Sequence, residues 1–201
     1  FAINGVLDSA AATTIEGAGF YYALLDAIDI SNSARDVISD GDAVLIYLDN
    51  AAEDGNTVLL SNGNTASGIN IYGDTVIAKE ISGAAGTLNN AVLNTAKGSL
   101  SDADILYSVS GSNLTITNSG DHFNAQTAYS LDGNITTNTG NIDFDSALTL
   151  AANKTISTTG VSGNITFDGS LNGAQTLSLN AGSGIIDFNG AIGNSVGLTS
   201  L

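Results

Sequence analysis

The chain has 201 residues, enough to bury a substantial core, and its 43% hydrophobic and 12% charged residues exclude disorder driven by charge. Twenty Asp and Glu against four Lys and Arg give a formal charge of −16, which repels phosphate backbones and anionic lipid. Nucleic acid is thereby excluded as a partner class, while divalent cations, basic partners and neutral glycans stay open. The absence of cysteine rules out disulfides and thiolate metal sites, and the longest apolar runs, such as "AVLIYL" at 43–48, fall far short of the roughly 20 residues that span a bilayer, so no membrane insertion is expected.

Residues 1–40 contain "GFYYALLDAIDI", which concentrates aromatic and aliphatic side chains without a clean period. This pattern predicts an N-terminal cap, a joining segment or a small β domain. Residues 41–119 read as irregular β structure, either solenoid or sandwich. "AVLIYLDN" at 43–50 and "GINIYGD" at 68–74 are strand-like, and "LDNAAEDGNT" at 48–57 crowds Asp49, Asn50, Glu53, Asp54 and Asn56 into one loop. Asp49, Glu53 and Asp54 are the best local candidates for a Ca²⁺ site because a hard cation takes many oxygen ligands, with a solvated turn as the competing reading. Near 86–98, Leu88, Val92, Leu93 and Ala96 recur at helical intervals before Gly98, predicting one short helical insertion.

From 120 to 201 one phrase returns: "GDHFNAQ", "GNIDFDS", "GNITFDG" and "GIIDFNG". Phe123, Phe144, Phe167 and Phe188 are 21, 23 and 21 residues apart, and Ile135, Ile156 and Leu179 each follow twelve residues after a phenylalanine. Two columns advancing in phase, with alternating apolar residues and Gly-bearing turns, predict an all-β parallel β-solenoid with two short strands per coil of 21–23 residues. The phenylalanines are expected to stack along the interior, Phe144 between Phe123 and Phe167, at the strand spacing of roughly 4.8 Å. The absence of proline suits a chain with many ladder positions.

A polar column, Asn124, Asp145, Asp168 and Asn189, follows the aromatic one. It reads as Asx turns or an amide ladder, or else the stacked carboxylates of Asp145 and Asp168 form a second candidate Ca²⁺ site. Calcium is the one cofactor the sequence admits. Asp143 and Asp187 alternate with the phenylalanines and are expected to face solvent. His122 is the single histidine and is expected to point outward, which leaves a His-based catalytic relay without partners.

The repeated phrase resembles the degenerate repeats of giant secreted bacterial proteins of the filamentous haemagglutinin and autotransporter-adhesin class. The resemblance is carried by residues 120–201 and implies an extracellular or bacterial cell-surface location. A start without Met and an end partway through the phrase raise the expectation of a piece of a longer chain. The expected role is that of a structural or adhesive segment without catalysis, a stiff rod meeting a host cell, a glycan, an abiotic surface or copies of itself. Two alternatives are a self-assembling filament or surface-layer subunit, and a carbohydrate-binding or carbohydrate-active β-helix. A groove of Asp side chains with an aromatic sugar platform would favour the last.

Overall fold

The computed structural model describes residues 1–7, 13–14, 21–22, 38–48, 54–64, 66, 68–160 and 162–201. The elements in chain order begin with the two-residue strands β1 (Ala2–Ile3), β2 (Val6–Leu7), β3 (Thr13–Thr14) and β4 (Tyr21–Tyr22). They continue with β5 (Asp40–Tyr47), β6 (Asn56–Asn62), β7 (Thr75–Glu80), α1 (Asn90–Lys97), β8 (Tyr107–Ser110) and β9 (Asn113–Ser119). Three coils follow: β10 (His122–Ala125), β11 (Tyr129–Leu131) and β12 (Ile135–Asn138); β13 (Ile142–Phe144), β14 (Leu148–Leu150) and β15 (Lys154–Thr159); β16 (Ile165–Phe167), β17 (Leu171–Asn172) and β18 (Leu177–Asn180). β19 (Ile186–Phe188) opens the last turn. The architecture is a β-solenoid of about 6 turns, with one helix among the described residues.

Each regular coil contributes three strands rather than the expected two, one to each of three stacked sheets. The first sheet runs β19-β16-β13-β10-β7-β6-β5-β1-β2, the second β11-β14-β17, and the third β18-β15-β12-β9-β8. The strands missed by periodicity are those of the second sheet, which are only two or three residues long. Their inward positions Tyr129, Leu148 and Leu171 are aligned by parallel pairing and are all buried.

The column Ile135–Ile156–Leu179 is aligned as expected, and Leu114 extends it by one coil. The aromatic column needs correction. Phe144, Phe167 and Phe188 are in register and stack face to face, with ring centroids 5.4 and 4.9 Å apart. Phe123, however, pairs with Ile142, while Ala125 pairs with Phe144, so Phe123 lies two residues off and meets the Phe144 ring edge-on at 6.1 Å. The cause is the length of one corner. From Tyr129 to Ile135 the chain takes six residues between the second and third sheets, but from Leu148 to Ile156 and from Leu171 to Leu179 it takes eight.

Glycine and asparagine at the corners explain why the phrase is written repeatedly. A Cβ at Gly140 would overlap the carbonyl oxygen of Asp121 in the coil beside it, so only glycine lets the coils approach. The asparagine that follows bonds to the next coil: Asn141 Oδ1 accepts from the Asn164 N–H, and Asn164 Oδ1 from the Ile185 N–H, each at 2.9 Å. A second such column passes through Asn113 and Asn134, accepting from the N–H groups of Asn134 and Thr155. The isoleucine and phenylalanine then point into the core.

The helix forms where predicted. Asn89 caps its N-terminus by accepting from the Val92 N–H, and Gly98 ends it at φ 53. Leu88 and Asn89 hold a rung position beside Ser130 of the second sheet, so α1 and β8 are an insertion between that sheet and the third. The helix packs against β1, β5, β6 and β8, and buries Leu93 and Ala96 with Leu45, Val58 and Tyr107. Among the described residues it is this helix that covers the interior at the N-terminal end. The cap expected within 1–40 falls mostly outside the described residues.

Candidate functional site

Alternation along strands decides which side chains leave the core. In β10 the inward residues are Phe123 and Ala125, which turns His122, Asn124 and Gln126 to the outer face of the first sheet. In β13 the inward residues are Ile142 and Phe144, which turns Asn141, Asp143 and Asp145 to the same face. Parallel pairing places Asn124 beside Asp143, and Thr75 of β7 beside His122. The segment before β7 adds Tyr72, and the set lines a groove of about 390 Å³.

The groove is held from several sides. The Asn124 amide donates to Asp145 Oδ1 at 2.7 Å. His122 Nδ1 accepts the Asn141 N–H at 2.8 Å, taking in its coil the place asparagine holds in the next, and this fixes the neutral ring's proton on Nε2. The Thr57 hydroxyl donates to the Asn70 carbonyl at 2.7 Å and the Lys79 ammonium to the Gly68 carbonyl at 3.0 Å, pinning the segment that carries Tyr72. The Asn70 amide reaches the Tyr72 hydroxyl at 3.3 Å, and the Tyr72 residue is 51% exposed.

Asp143 and Asp187 both leave the core as expected, Asp143 half-buried in the groove and Asp187 exposed. Burial pushes the Asp143 carboxyl above its ordinary range, Asp145 and Asp168 add to the rise, and a hydrogen bond with Thr166 and the nearby His122 oppose it.

Asp145 and Asp168 are both exposed, and each takes an asparagine amide from an adjoining coil, Asn124 to Asp145 and Asn189 to Asp168 at 2.8 Å. This is the amide-ladder reading of the polar column. Asp49 and Glu53 lie outside the described residues. Asp54 sits at a corner where its carbonyl accepts the Asp74 N–H at 2.7 Å. Among the described residues no three His, Cys, Asp or Glu side chains are grouped to hold a metal ion.

The corner of Asp54 and Asp74 carries a feature the motif search missed. Asp121 is buried, with Oδ2 facing no hydrogen-bond donor. Burial first, then the carboxylates of Asp74 and Asp54, push the Asp121 carboxyl up against the opposing pull of Asn118 and His122. The recurring Gly-Asp before β7 and β10, in "YGDT" and "SGDH", is the signal that could have found it. Tyr72 and Gln126 were likewise passed over, although "HFNAQ" alternates visibly between inward and outward positions.

No protein-family model matches the chain, and no curated protein or solved structure is significantly similar to it.

Proposed function

We propose that the chain is a structural or adhesive segment of a secreted bacterial cell-surface protein, a stiff β-solenoid rod whose role is mechanical. The observation that supports this reading is that every regular coil is tied to the next by parallel backbone rungs. Parallel backbone rungs run in all three sheets, and the phenylalanine stack and the asparagine columns repeat from coil to coil. Such bonds add up along the axis without any single indispensable residue. The resemblance of the Gly-Asn-Ile-x-Phe phrase to haemagglutinin-type repeats supports the extracellular setting.

Single-molecule pulling tests the rod. Coils of 19, 23 and 21 residues should release in steps of about 65–80 Å, from roughly 3.4 Å per extended residue. Beads coated with the chain should be retained on cell, glycan or abiotic surfaces above uncoated beads. Release of the whole chain in one low-force event, together with bead retention at background, would overturn the reading.

A further inference from the structure

We infer that the groove on the outer face of the first sheet is a binding site for a neutral glycan chain. The inference deepens the adhesive reading and rests on it for its biological role, though not for its chemistry. Three properties carry it. The first is an aromatic ring in the right setting: Tyr72 stands half out in solvent beside a polar surface, on a segment pinned by the Thr57 and Lys79 hydrogen bonds. A ring held in place in this way offers its face to the C–H side of a sugar with little ordering loss on binding.

The second property is the polar lining of the groove. Gln126 presents an amide that donates and accepts, Asn124 presents its amide oxygen and the N–H not given to Asp145, and Asp143 and Asp145 present carboxyl oxygens. Amides and carboxylates together satisfy neighbouring hydroxyl groups, which are each both donor and acceptor. His122 adds an Nε2–H donor because its Nδ1 is already occupied by the backbone. These groups come from two successive rungs spaced roughly 4.8 Å apart, comparable with the length of one hexose in a chain, so one sugar meets the imidazole and amides of the β10 rung while its neighbour along the rod axis meets the carboxyls of the β13 rung.

The third property is charge. The lining described here holds two carboxylates and neither lysine nor arginine, within a protein of net charge −16. An acidic sugar would be repelled, so the ligand class is a neutral oligosaccharide rather than a uronate or a sialylated one.

Isothermal titration calorimetry on the whole chain with cellohexaose, maltohexaose, chitohexaose and hexagalacturonate tests this. At least one of the three neutral hexamers is expected to bind with Kd below about 1 mM. Tyr72→Ala and Asn124→Ala are expected to weaken that binding about tenfold or more, while Thr149→Ala, on the exposed face of the second sheet, leaves it unchanged. Hexagalacturonate is expected to bind at least about tenfold more weakly than the best neutral hexamer. Thermal melts of the Tyr72 variant should overlay the parent, because the ring is outside the core. Absence of binding by all three neutral hexamers, equal or tighter binding of hexagalacturonate, or unchanged affinity in Tyr72→Ala would each overturn the proposal. None of these outcomes touches the pulling measurement, so failure of the groove and failure of the rod are told apart.

Discussion

The coils from β10 onward and the region from β5 to β9 reach a closed interior by different means. In the regular coils all pairing is parallel, and from β13 onward the inward residues of the first sheet are copies of those one coil away, Phe on Phe and Ile on Ile, with Asn bonded to Asn at the corner. In the earlier region β5 pairs with β6, and β8 with β9, antiparallel, and an eight-residue helix fills the space between the sheets. Its polar groups are satisfied singly. Asn90 is buried, donates to the carbonyls of Ser112 and Asn134 and accepts from the Tyr129 hydroxyl at 2.7 Å. The outer face of the first sheet differs as well. Near β5 and β6 it is apolar, with Val44 and Leu59 packed beneath Ile69 and Ile81, and it becomes polar at β10, where the groove begins. Repetition spreads stability over equivalent contacts, whereas a non-repeating end concentrates it in a few irreplaceable ones.

The largest expected effect lies in the repeating stack. Phe167→Ala should cost about 3–5 kcal/mol, as for a fully buried aromatic, while Phe188→Ala in the less buried last turn should cost about 1–2 kcal/mol. Chemical denaturation would show equal losses if the stack were not the core.

Next comes the non-repeating end. Asn90→Ala should cost about 2–4 kcal/mol, because two carbonyls and a hydroxyl lose their partner away from water. Asn90→Asp should not restore it, since a carboxylate cannot donate to the Ser112 and Asn134 carbonyls. A loss below about 0.5 kcal/mol would mean that the end is not held by this residue.

A smaller effect is expected from pH. Asp121 and Asp143 hold their protons more tightly folded than unfolded, so the stability they contribute is full below the unfolded carboxyl value, roughly 4, and is lost as pH rises through their folded values. The melting temperature should therefore rise as pH is lowered from 7 toward about 4, and the Asp121→Asn, Asp143→Asn double variant should flatten that slope. A melting temperature that falls throughout the interval would contradict the assignment.

The smallest effect concerns the outward ladder. Asp145→Asn and Asp168→Asn should each change stability by less than about 0.5 kcal/mol, in Ca²⁺ and in Na⁺ at matched ionic strength. A rise in melting temperature specific to Ca²⁺ that vanishes in Asp168→Asn would establish the carboxylate pair as a cation site.

Much of the fold was legible because its causes are local. The alternation in "NIDF" and "NITF" sets one face inward, and Asn89 and Gly98 bracket a helix whose apolar residues recur at the helical interval. The second-sheet strands were not legible, since "YSL", "LTL" and "LN" are too short to show a period. The groove was only half legible. Alternation exposes His122, Asn124, Asp143 and Asp145, but nothing local brings Tyr72 to them across the insertion that holds α1.

The sequence by itself determined that the chain coils with a period of about 20 residues, and that Ile135, Ile156 and Leu179 share a column, because burial and alternation act within a few residues of each position. Only the tertiary structure decided the register of Phe123 and the company of Tyr72. Register depends on how many residues each corner consumes, six in one coil and eight in the next two, and a two-residue difference preserves the inward face while moving every neighbour along the axis of its strand.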